Sequence, residues 1–391
     1  MKTVYFDSAA TTQMREEVIV KMTEVMRNTF GNPSSTHSYG RSAKTLIEQA
    51  RKDVAKHFNV SAGEIIFTSG GTEADNLTLQ SAVKDLGVTR IITSKIEHHA
   101  VLHTVEELRD KHHISLDFVN LEDCGSVDIS HLTQLLKKSD KKTLVSLMHI
   151  NNEIGNMLDI KEVANLCKSH NALFHCDTVQ SVGHYKLDFS EIPVDFTAAS
   201  AHKFHGPKGV GFAFIRKNSG LRPMIVGGSQ ERGIRAGTES VHNIVGLAEA
   251  LKYSYENLEE EETYITNLKS YFKKQLEEHI FDSKLNGRCF DSEKSTYTLL
   301  NVCLPISPEK AVLLLFQLDL NGIACSKGSA CQSGSGQASH VLQAILKDDD
   351  LRRPSIRFSF SKYNTTEDID YVIRVLKNFM IPETSGVEKI G

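Results

Sequence analysis

Between about residues 64 and 217, short apolar runs alternate with longer segments of helical periodicity. The runs predicted to be strands are Glu64–Thr68, Arg90–Thr93, Leu116–Val119, Thr143–Met148, Ala172–Cys176, Val194–Ala199 and Val210–Ile215. The segments predicted to be helices between them are Thr72–Leu86, Ala100–Lys111 and Ile160–His170. This alternation predicts an α/β fold with a mostly parallel, seven-stranded sheet covered on both faces. The last two runs are too close together for a helical crossover, so one of them should be antiparallel.

The flanking segments predict further helices and a second, smaller domain. Helical stretches cover roughly 15–28, 41–58 and 243–279. The smaller α+β domain should contain a strand within 295–304, a helix at 307–318, a strand at 356–361 and a final helix. Thr365–Asp368 resembles a capping box that opens this last helix. We therefore expect a large domain at 15–260, which contains the predicted sheet. The small domain should comprise 1–14 and 261–391 and carry a cysteine-containing loop at about 325–340.

Composition restricts the class of protein more than its chemistry. The chain has 391 residues, 40% hydrophobic and 24% charged, which is ordinary for a globular protein with room for two domains. Its formal net charge of -4 does not favour a nucleic-acid partner. No apolar run has transmembrane length, and Met1–Asp7 does not resemble a signal peptide. The seven cysteines form no C-x-x-C pair, so we expect neither disulfides nor a metal site, and a cytoplasmic location.

The stretch Ser200–Gly209 places Lys203 just after an apolar strand. A lysine at the end of a buried strand suits Schiff-base chemistry, because desolvation favours the neutral amine. A basic turn near Gly206 is an equally good interpretation of this stretch alone. One strand earlier, Asp177 ends another apolar run and Gln180 follows it. A lysine and an acid at one sheet edge are what pyridoxal phosphate (PLP) needs, since the acid keeps its ring nitrogen protonated.

Other residues are weak candidates by themselves and become good candidates for PLP binding once Lys203 and Asp177 are considered with them. Gly71 and Thr72 lie where a strand meets a helix, a junction that can bind a phosphate, with Ser200 and His202 as further donors. His98 could stack on a planar cofactor, the less favoured alternative being part of a metal pair.

Three residues are candidates for substrate and sulfur chemistry. Asn152 could reach a ligand or belong to a plain turn, and Arg357 could bind a carboxylate or make an internal ion pair. Cys331 lies in a loop rich in Gly and Ser beside Lys327, as reactive thiols do, although a free surface cysteine is an alternative. Cys325 better fits a buried, structural thiol.

Taken together, these segments resemble the cysteine desulfurases, which belong to PLP-dependent fold type I and the class V aminotransferase superfamily. The matching segments, from the first to the last, are Phe6–Thr12, Gly31–His37, Ser69–Glu73, Glu97–His98, Asn151–Gly155, the Lys203 loop, Gly227–Thr238, Gly328–Cys331 and Ile356–Ser359. In three places the chain departs from the family pattern. The loop after Cys331, Gln332–Ala338, is more glycine-rich than is usual in the family, so we expect it to be more mobile. Ser229 replaces a usual third glycine, and Gly391 comes soon after the last predicted helix. We therefore expect it to lack the longer tail with which housekeeping members contact their iron–sulfur scaffold.

The resemblance implies a role for each candidate. Lys203 would hold PLP covalently, Asp177 would pair with the ring nitrogen, Gln180 with the ring oxygen, and His98 would stack on the ring. Thr72, Gly71, Ser200 and His202 would hold the phosphate, and Thr238 would reach the phosphate of a neighbouring subunit, which implies a homodimer. Asn152 and Arg357 would bind the carboxylate of L-cysteine, and Cys331 would take its sulfur as a persulfide and leave L-alanine.

The persulfide sulfur would pass to an acceptor protein, such as an iron–sulfur scaffold, for cluster or thio-cofactor synthesis. A selenocysteine lyase, another β-eliminase or an aminotransferase is the alternative enzyme. A binding protein without turnover is the alternative of another class.

Overall fold

A computed structural model describes residues 2–138, 140–327 and 339–380, and Cys331 lies outside these ranges. The strands are β1 Val4–Tyr5, β2 Ile65–Thr68, β3 Arg90–Thr93, β4 Ser115–Phe118, β5 Thr143–Ser146, β6 Leu173–Asp177, β7 Phe196–Ser200, β8 Gly211–Ile215, β9 Lys284–Leu285, β10 Leu299–Cys303, β11 Ile323–Ala324 and β12 Ser355–Ser359. The helices are α1 Glu16–Asn28, α2 Ser38–His57, α3 Gly71–Leu86, α4 His99–His112, α5 Ile129–Lys137, α6 Ile160–Ser169, α7 Val241–Glu256, α8 Leu258–His279, α9 Pro308–Leu320, α10 His340–Ile345, α11 Asp348–Leu351 and α12 Thr366–Met380. None of the helices in these ranges combines the length and the apolar composition needed to cross a bilayer.

The predicted sheet is confirmed. Its seven strands run in the order β2-β8-β7-β6-β5-β3-β4. Strands β3 to β7 pair in parallel, whereas β8 is antiparallel to both of its neighbours, β2 and β7. The short connection between the last two predicted runs therefore joins antiparallel strands, β7 and β8, as the spacing required. Because β8 alone is reversed, the carboxyl ends of β2, β3, β5, β6 and β7 share one edge.

Two apolar layers cover the sheet. One contains buried side chains of α1, α2, α5, α6 and α7, and the other contains those of α3 and α4. Strand β6 shows how the alternation works, since Phe174 and Cys176 face the first layer while His175 and Asp177 do not belong to it. Two helical details differ from expectation. Helix α5 was not predicted, and the long stretch after residue 243 is two helices joined at Asn257, whose side chain donates to the Tyr253 carbonyl 2.8 Å away.

A separate apolar cluster surrounds the small antiparallel sheet β12-β10-β9. It includes side chains of α8, α9 and α12 together with Val4 and Phe6 from the start of the chain. Strand β1 pairs in parallel with β11, so the N-terminal segment lies beside the C-terminal part of the chain. The capping box is confirmed, because the Thr365 amide donates to Asp368 and the Asp368 amide donates to Thr365 Oγ1. The domain boundaries stay a prediction.

Candidate active site at the carboxyl edge of the sheet

One cavity of about 260 Å³ lies at the shared carboxyl edge. Residues that follow β2, β3, β5, β6 and β7 line it, together with Ala9 and Ala10 from the N-terminal segment and Arg357 from β12. The predicted site residues brought together here are Gly71, Thr72, His98, Asn152, Asp177, Gln180, Ser200, His202, Lys203 and Arg357. Thr238 is not among the lining residues, and Cys331 lies outside the described ranges.

Lys203 ends a short 3-10 turn, Ala201–Lys203, directly after β7. Its Nζ donates to the carbonyl oxygens of Ala9 at 2.7 Å and Ala10 at 2.9 Å. Gln180 Nε2 donates to the same Ala9 carbonyl at 3.0 Å. Sequence reasoning did not predict these carbonyls, because they belong to the backbone of a segment almost two hundred residues away. The N-terminal segment is thus part of the wall around the lysine.

Asp177 ends β6 beside Lys203, as the sequence predicts for neighbouring parallel strands. Its side chain is buried, and Oδ1 accepts the Val179 amide at 2.9 Å. Burial raises the pKa of Asp177 to about 6, partly opposed by that hydrogen bond and by the charge of Lys203. A cation at this position would stabilise the carboxylate, so Asp177 fits the protonated ring nitrogen of a pyridine.

A second buried acid, Asp75, was not predicted. It lines the cavity from the second turn of α3, and its Oδ1 lies 3.3 Å from Nε2 of His175. Nδ1 of that histidine is 2.8 Å from Ser146 Oγ. Burial raises the pKa of Asp75 well above its usual range, and the Asp177 charge adds to this. Burial also lowers the pKa of His175 to about 3. In the sequence, Asp75 comes three residues after Thr72, and residues at this spacing share one face of a helix. That spacing was the signal that could have placed Asp75 in the site.

The cavity continues into an open recess on the side of α3. The residues common to both are Ala10, Gly71, Thr72, Ser200 and His202. Gly71 is required here, since a Cβ at this position would lie 2.5 Å from Cγ2 of Val179. Backbone amides at the start of α3 and the adjacent hydroxyls suit an anion. His202 Nδ1 is buried without a hydrogen-bond partner among the described residues, so it too fits a phosphate oxygen.

His98 is the N-cap of α4 and presents its ring to the cavity. Its Nδ1 accepts the Ala100 amide at 3.1 Å, which places the proton of the neutral ring on Nε2. Burial, followed by the nearby Lys203 charge, lowers the pKa of His98 to about 4. A neutral, hydrogen-bonded imidazole is suited to stacking on a flat ring. Among the residues that the structure describes, no group of three or more potential ligands is arranged to hold a metal ion.

Arg357 approaches the cavity from the small sheet rather than from the large one. The residue is 1% exposed, and its Nη1 donates to the Asn152 carbonyl at 2.8 Å. Its Nη2 donates to Asp7 Oδ1 at 2.8 Å. The two alternatives for this arginine, ligand binding and an internal ion pair, are therefore compatible. The ion pair exists, and the side chain also lines the cavity.

Thr238 is exposed, in the segment that precedes α7. This segment is anchored by Glu231, which accepts both Nη groups of the buried Arg51 at 2.6 and 2.8 Å. Ser229 has φ −87°, a conformation open to any residue, so the serine does not disturb the backbone here. The exposed position of Thr238 leaves its side chain available to another molecule.

The two sides of the Cys331 loop are anchored near the cavity. Ser326 and Arg357 exchange backbone hydrogen bonds of 2.7 and 3.3 Å. Beyond the loop, the Ser339 side chain caps α10 and donates to the buried Glu153. Burial raises the pKa of Cys325 to about 12, which agrees with its predicted structural character.

Comparisons with known proteins agree on one family. The family model for class-V aminotransferases matches residues 4–372. A cysteine desulfurase IscS from Dictyoglomus turgidum is 41% identical over 379 residues, which cover 96% of this chain and 94% of the relative. A putative cysteine desulfurase from Bacillus subtilis is also 41% identical, over 94% of this chain and 96% of its own.

Solved structures extend this similarity to the fold. A NifS-like protein superposes with a TM-score of 0.87 at 35% identity, covering 96% of this chain and 99% of its own. The structure described as SspA in complex with cysteine has a TM-score of 0.80 at 30% identity, covering 93% of this chain and 100% of its own. The chain therefore belongs to the class-V aminotransferase family, and within it to the PLP-dependent cysteine desulfurases.

Proposed function

We propose that the protein converts L-cysteine to L-alanine in this cavity and transfers the sulfur to Cys331 as a persulfide. The observation that carries the proposal is the placement of Lys203 and Asp177 at the ends of adjacent strands, in one cavity with Arg357. The amine, the acid and the carboxylate-binding group that cysteine chemistry on PLP requires are thus in one place. The related SspA has been determined with cysteine bound, which supports the choice of substrate.

Bound PLP would supply an electron sink next to the α-carbon of the amino acid. Lys203 would hold the cofactor covalently and then, displaced by the substrate amine, take the α-proton. Asp177 would stay ionised and hold the proton on the ring nitrogen, Gln180 would donate to the ring oxygen, and His98 would stack on the ring. Gly71, Thr72, Ser200 and His202 would hold the phosphate.

Asn152 and Arg357 would bind the carboxylate of the substrate and so orient its side chain. The Cys331 thiolate would attack the substrate sulfur, so that an S–S bond forms as the C–S bond breaks. The electron pair of the broken bond would stay with the β-carbon, which would take a proton to become the methyl group of L-alanine. Lys203 would return a proton to the α-carbon.

We further propose a homodimer in which Thr238 contacts the phosphate held by the partner subunit. Its exposure on an anchored segment supports this arrangement, as does the exposure of Ile225 at 39% and Val226 at 81% nearby. The physiological acceptor would be a second protein, with iron–sulfur clusters or thio-cofactors as the destination of the sulfur. We place this activity in the cytoplasm.

The test is to incubate the protein with L-cysteine and a thiol reductant while measuring alanine and sulfide. The Cys331→Ala variant should bind PLP normally but lose most turnover, because no thiol reaches the substrate sulfur. Cys124→Ala is the matched control, since this cysteine is partly exposed and lies outside the cavity. If Cys331→Ala released sulfide as fast as the unmodified protein, the proposed transfer of sulfur to Cys331 as a persulfide would be wrong.

A selenocysteine lyase is the second candidate, because selenocysteine has the same carboxylate and amine for the residues above. Relative rates on L-cysteine and L-selenocysteine separate the two. If Cys331→Ala turns over selenocysteine as fast as the unmodified protein while losing cysteine turnover, the Cys331 thiol is needed for the reaction of cysteine and not for that of selenocysteine.

A further inference from the structure

Asp7 connects the arginine of the cavity to the segment that leads to Cys331. One oxygen, Oδ1, accepts a hydrogen bond from Arg357 Nη2 at 2.8 Å and another from Ser326 Oγ at 2.9 Å. Ser326 and Arg357 are in turn paired through their backbones. The three residues therefore form a closed triangle, and only Arg357 of the three lines the cavity.

This triangle gives Arg357 an anionic partner within the protein. The arginine side chain is 2% exposed and that of Asp7 is 18% exposed, so water screens the pair only weakly. The Asn152 carbonyl accepts from Nη1, and Nε has no hydrogen-bond partner among the described residues. A substrate carboxylate that binds Arg357 would therefore be the second carboxylate beside this guanidinium, since Asp7 is already paired with it.

We propose that Asp7 is a positioning residue that fixes the orientation of Arg357 and limits how tightly it binds an amino-acid carboxylate. The inference rests on the proposed function, because it assumes that Arg357 is the carboxylate ligand. Substrate and product carry the same α-carboxylate, so a site that binds it too strongly would retain L-alanine. Asp7 would weaken this contact by repulsion while its hydrogen bond keeps the guanidinium in place.

A purely structural Asp7 predicts the opposite result. If the carboxylate only held Arg357 and Ser326 in position, loss of its charge would loosen the arginine and weaken carboxylate binding. If it competes with the ligand, loss of its charge with the acceptor retained would strengthen carboxylate binding. The sign of the change therefore distinguishes the two roles.

The experiment uses the PLP-loaded enzyme and follows the absorbance of the bound cofactor during titration with L-alanine. Asp7→Asn keeps an oxygen acceptor without the charge, and we expect it to lower the apparent Kd of L-alanine roughly fivefold. L-alaninamide has the same amine without the carboxylate, so its affinity should change less than about twofold. Asp368→Asn is the matched control, because Asp368 is also paired with a cation, Lys2 at 2.8 Å, and its side chain is 15% exposed.

The inference is overturned if Asp7→Asn binds L-alanine with unchanged or weaker affinity, or if alaninamide gains as much as alanine. Asp7→Gln offers a second uncharged variant with an oxygen acceptor in case the first does not fold, and it should show the same tightening. Loss of bound cofactor in both variants would assign Asp7 to the fold alone. Arg357→Lys separates this failure from failure of the proposed function. If that variant binds L-alanine as the unmodified enzyme does, the assumed carboxylate role of Arg357 is wrong, and the inference falls with it.

Discussion

The cavity has a floor and a rim, and the two are built differently. The floor consists of Asp177, Lys203 and the start of α3, which lie at the carboxyl ends of β6, β7 and β2 in one sheet. The rim includes Arg357, held by Asp7 and Asn152 from segments far apart along the chain. Hydrogen bonds of the large sheet position the floor, whereas side-chain contacts between distant segments position the rim. We expect the floor to control cofactor binding and the rim to control the substrate.

The largest effect should come from the floor. Lys203→Ala should lower kcat/KM for L-cysteine by at least about a thousandfold, because the covalent cofactor link and the α-proton acceptor are lost together. The cofactor absorbance should shift or disappear after dialysis. Lys186→Ala is the control, since Lys186 is exposed and pairs with the surface acid Glu259. A Lys203→Ala enzyme that still releases alanine at the normal rate would contradict the assignment of the floor.

At the rim, Arg357→Lys should raise KM for L-cysteine roughly tenfold to a hundredfold, because a lysine cannot donate in the bidentate geometry of a guanidinium. Bound PLP should be retained, as read from its absorbance, which is what separates rim from floor. Arg353→Lys is the matched control, because Arg353 lies just before the same strand and pairs with Asp282 at the surface. Loss of cofactor in Arg357→Lys would contradict the claim that the rim controls the substrate and the floor controls cofactor binding.

The smallest expected effect is on the free energy of unfolding of the cofactor-free protein, and it comes from the floor residue Asp177. The folded pKa of Asp177, about 6, exceeds its usual value of 3.8, so the native protein binds this proton more tightly than the unfolded chain. Ionisation therefore costs stability as the pH rises from about 4 to 6, and the full penalty is present above that range. Asp177→Asn should remove this penalty and stabilise cofactor-free protein at pH 8 by about 1–3 kcal/mol.

Denaturant unfolding of cofactor-free protein at pH 4 and pH 8 measures this gain, which should nearly vanish at pH 4. The same variant should bind PLP more weakly, since the partner of the ring nitrogen has lost its charge. Equal stabilisation at both pH values would mean that the effect of the substitution is not electrostatic.

The sequence predicted the position of Asp177 and Lys203 in the floor because each of them comes at or just after the end of an apolar strand. Apolar runs define β6 and β7, and parallel pairing of successive strands necessarily brings Asp177 and Lys203 to one edge. The reversed β8 followed from the length of its connection. Gln180, His98 and Thr72 were candidates from their positions after strands, and the resemblance implied a role for each; the structure places all three around the same cavity.

The tertiary structure decided which distant groups complete the site. Nothing in the local pattern of Ala9 and Ala10 indicates that their carbonyls accept from Lys203, since that contact depends on β1 pairing with β11. Asp7 and Arg357 stand 350 positions apart and become partners because the N-terminal segment lies along β12, where Asp7 forms a bridge with Ser359. Periodicity and residue type describe what one segment can do, whereas an ion pair between remote segments depends on how the whole chain packs.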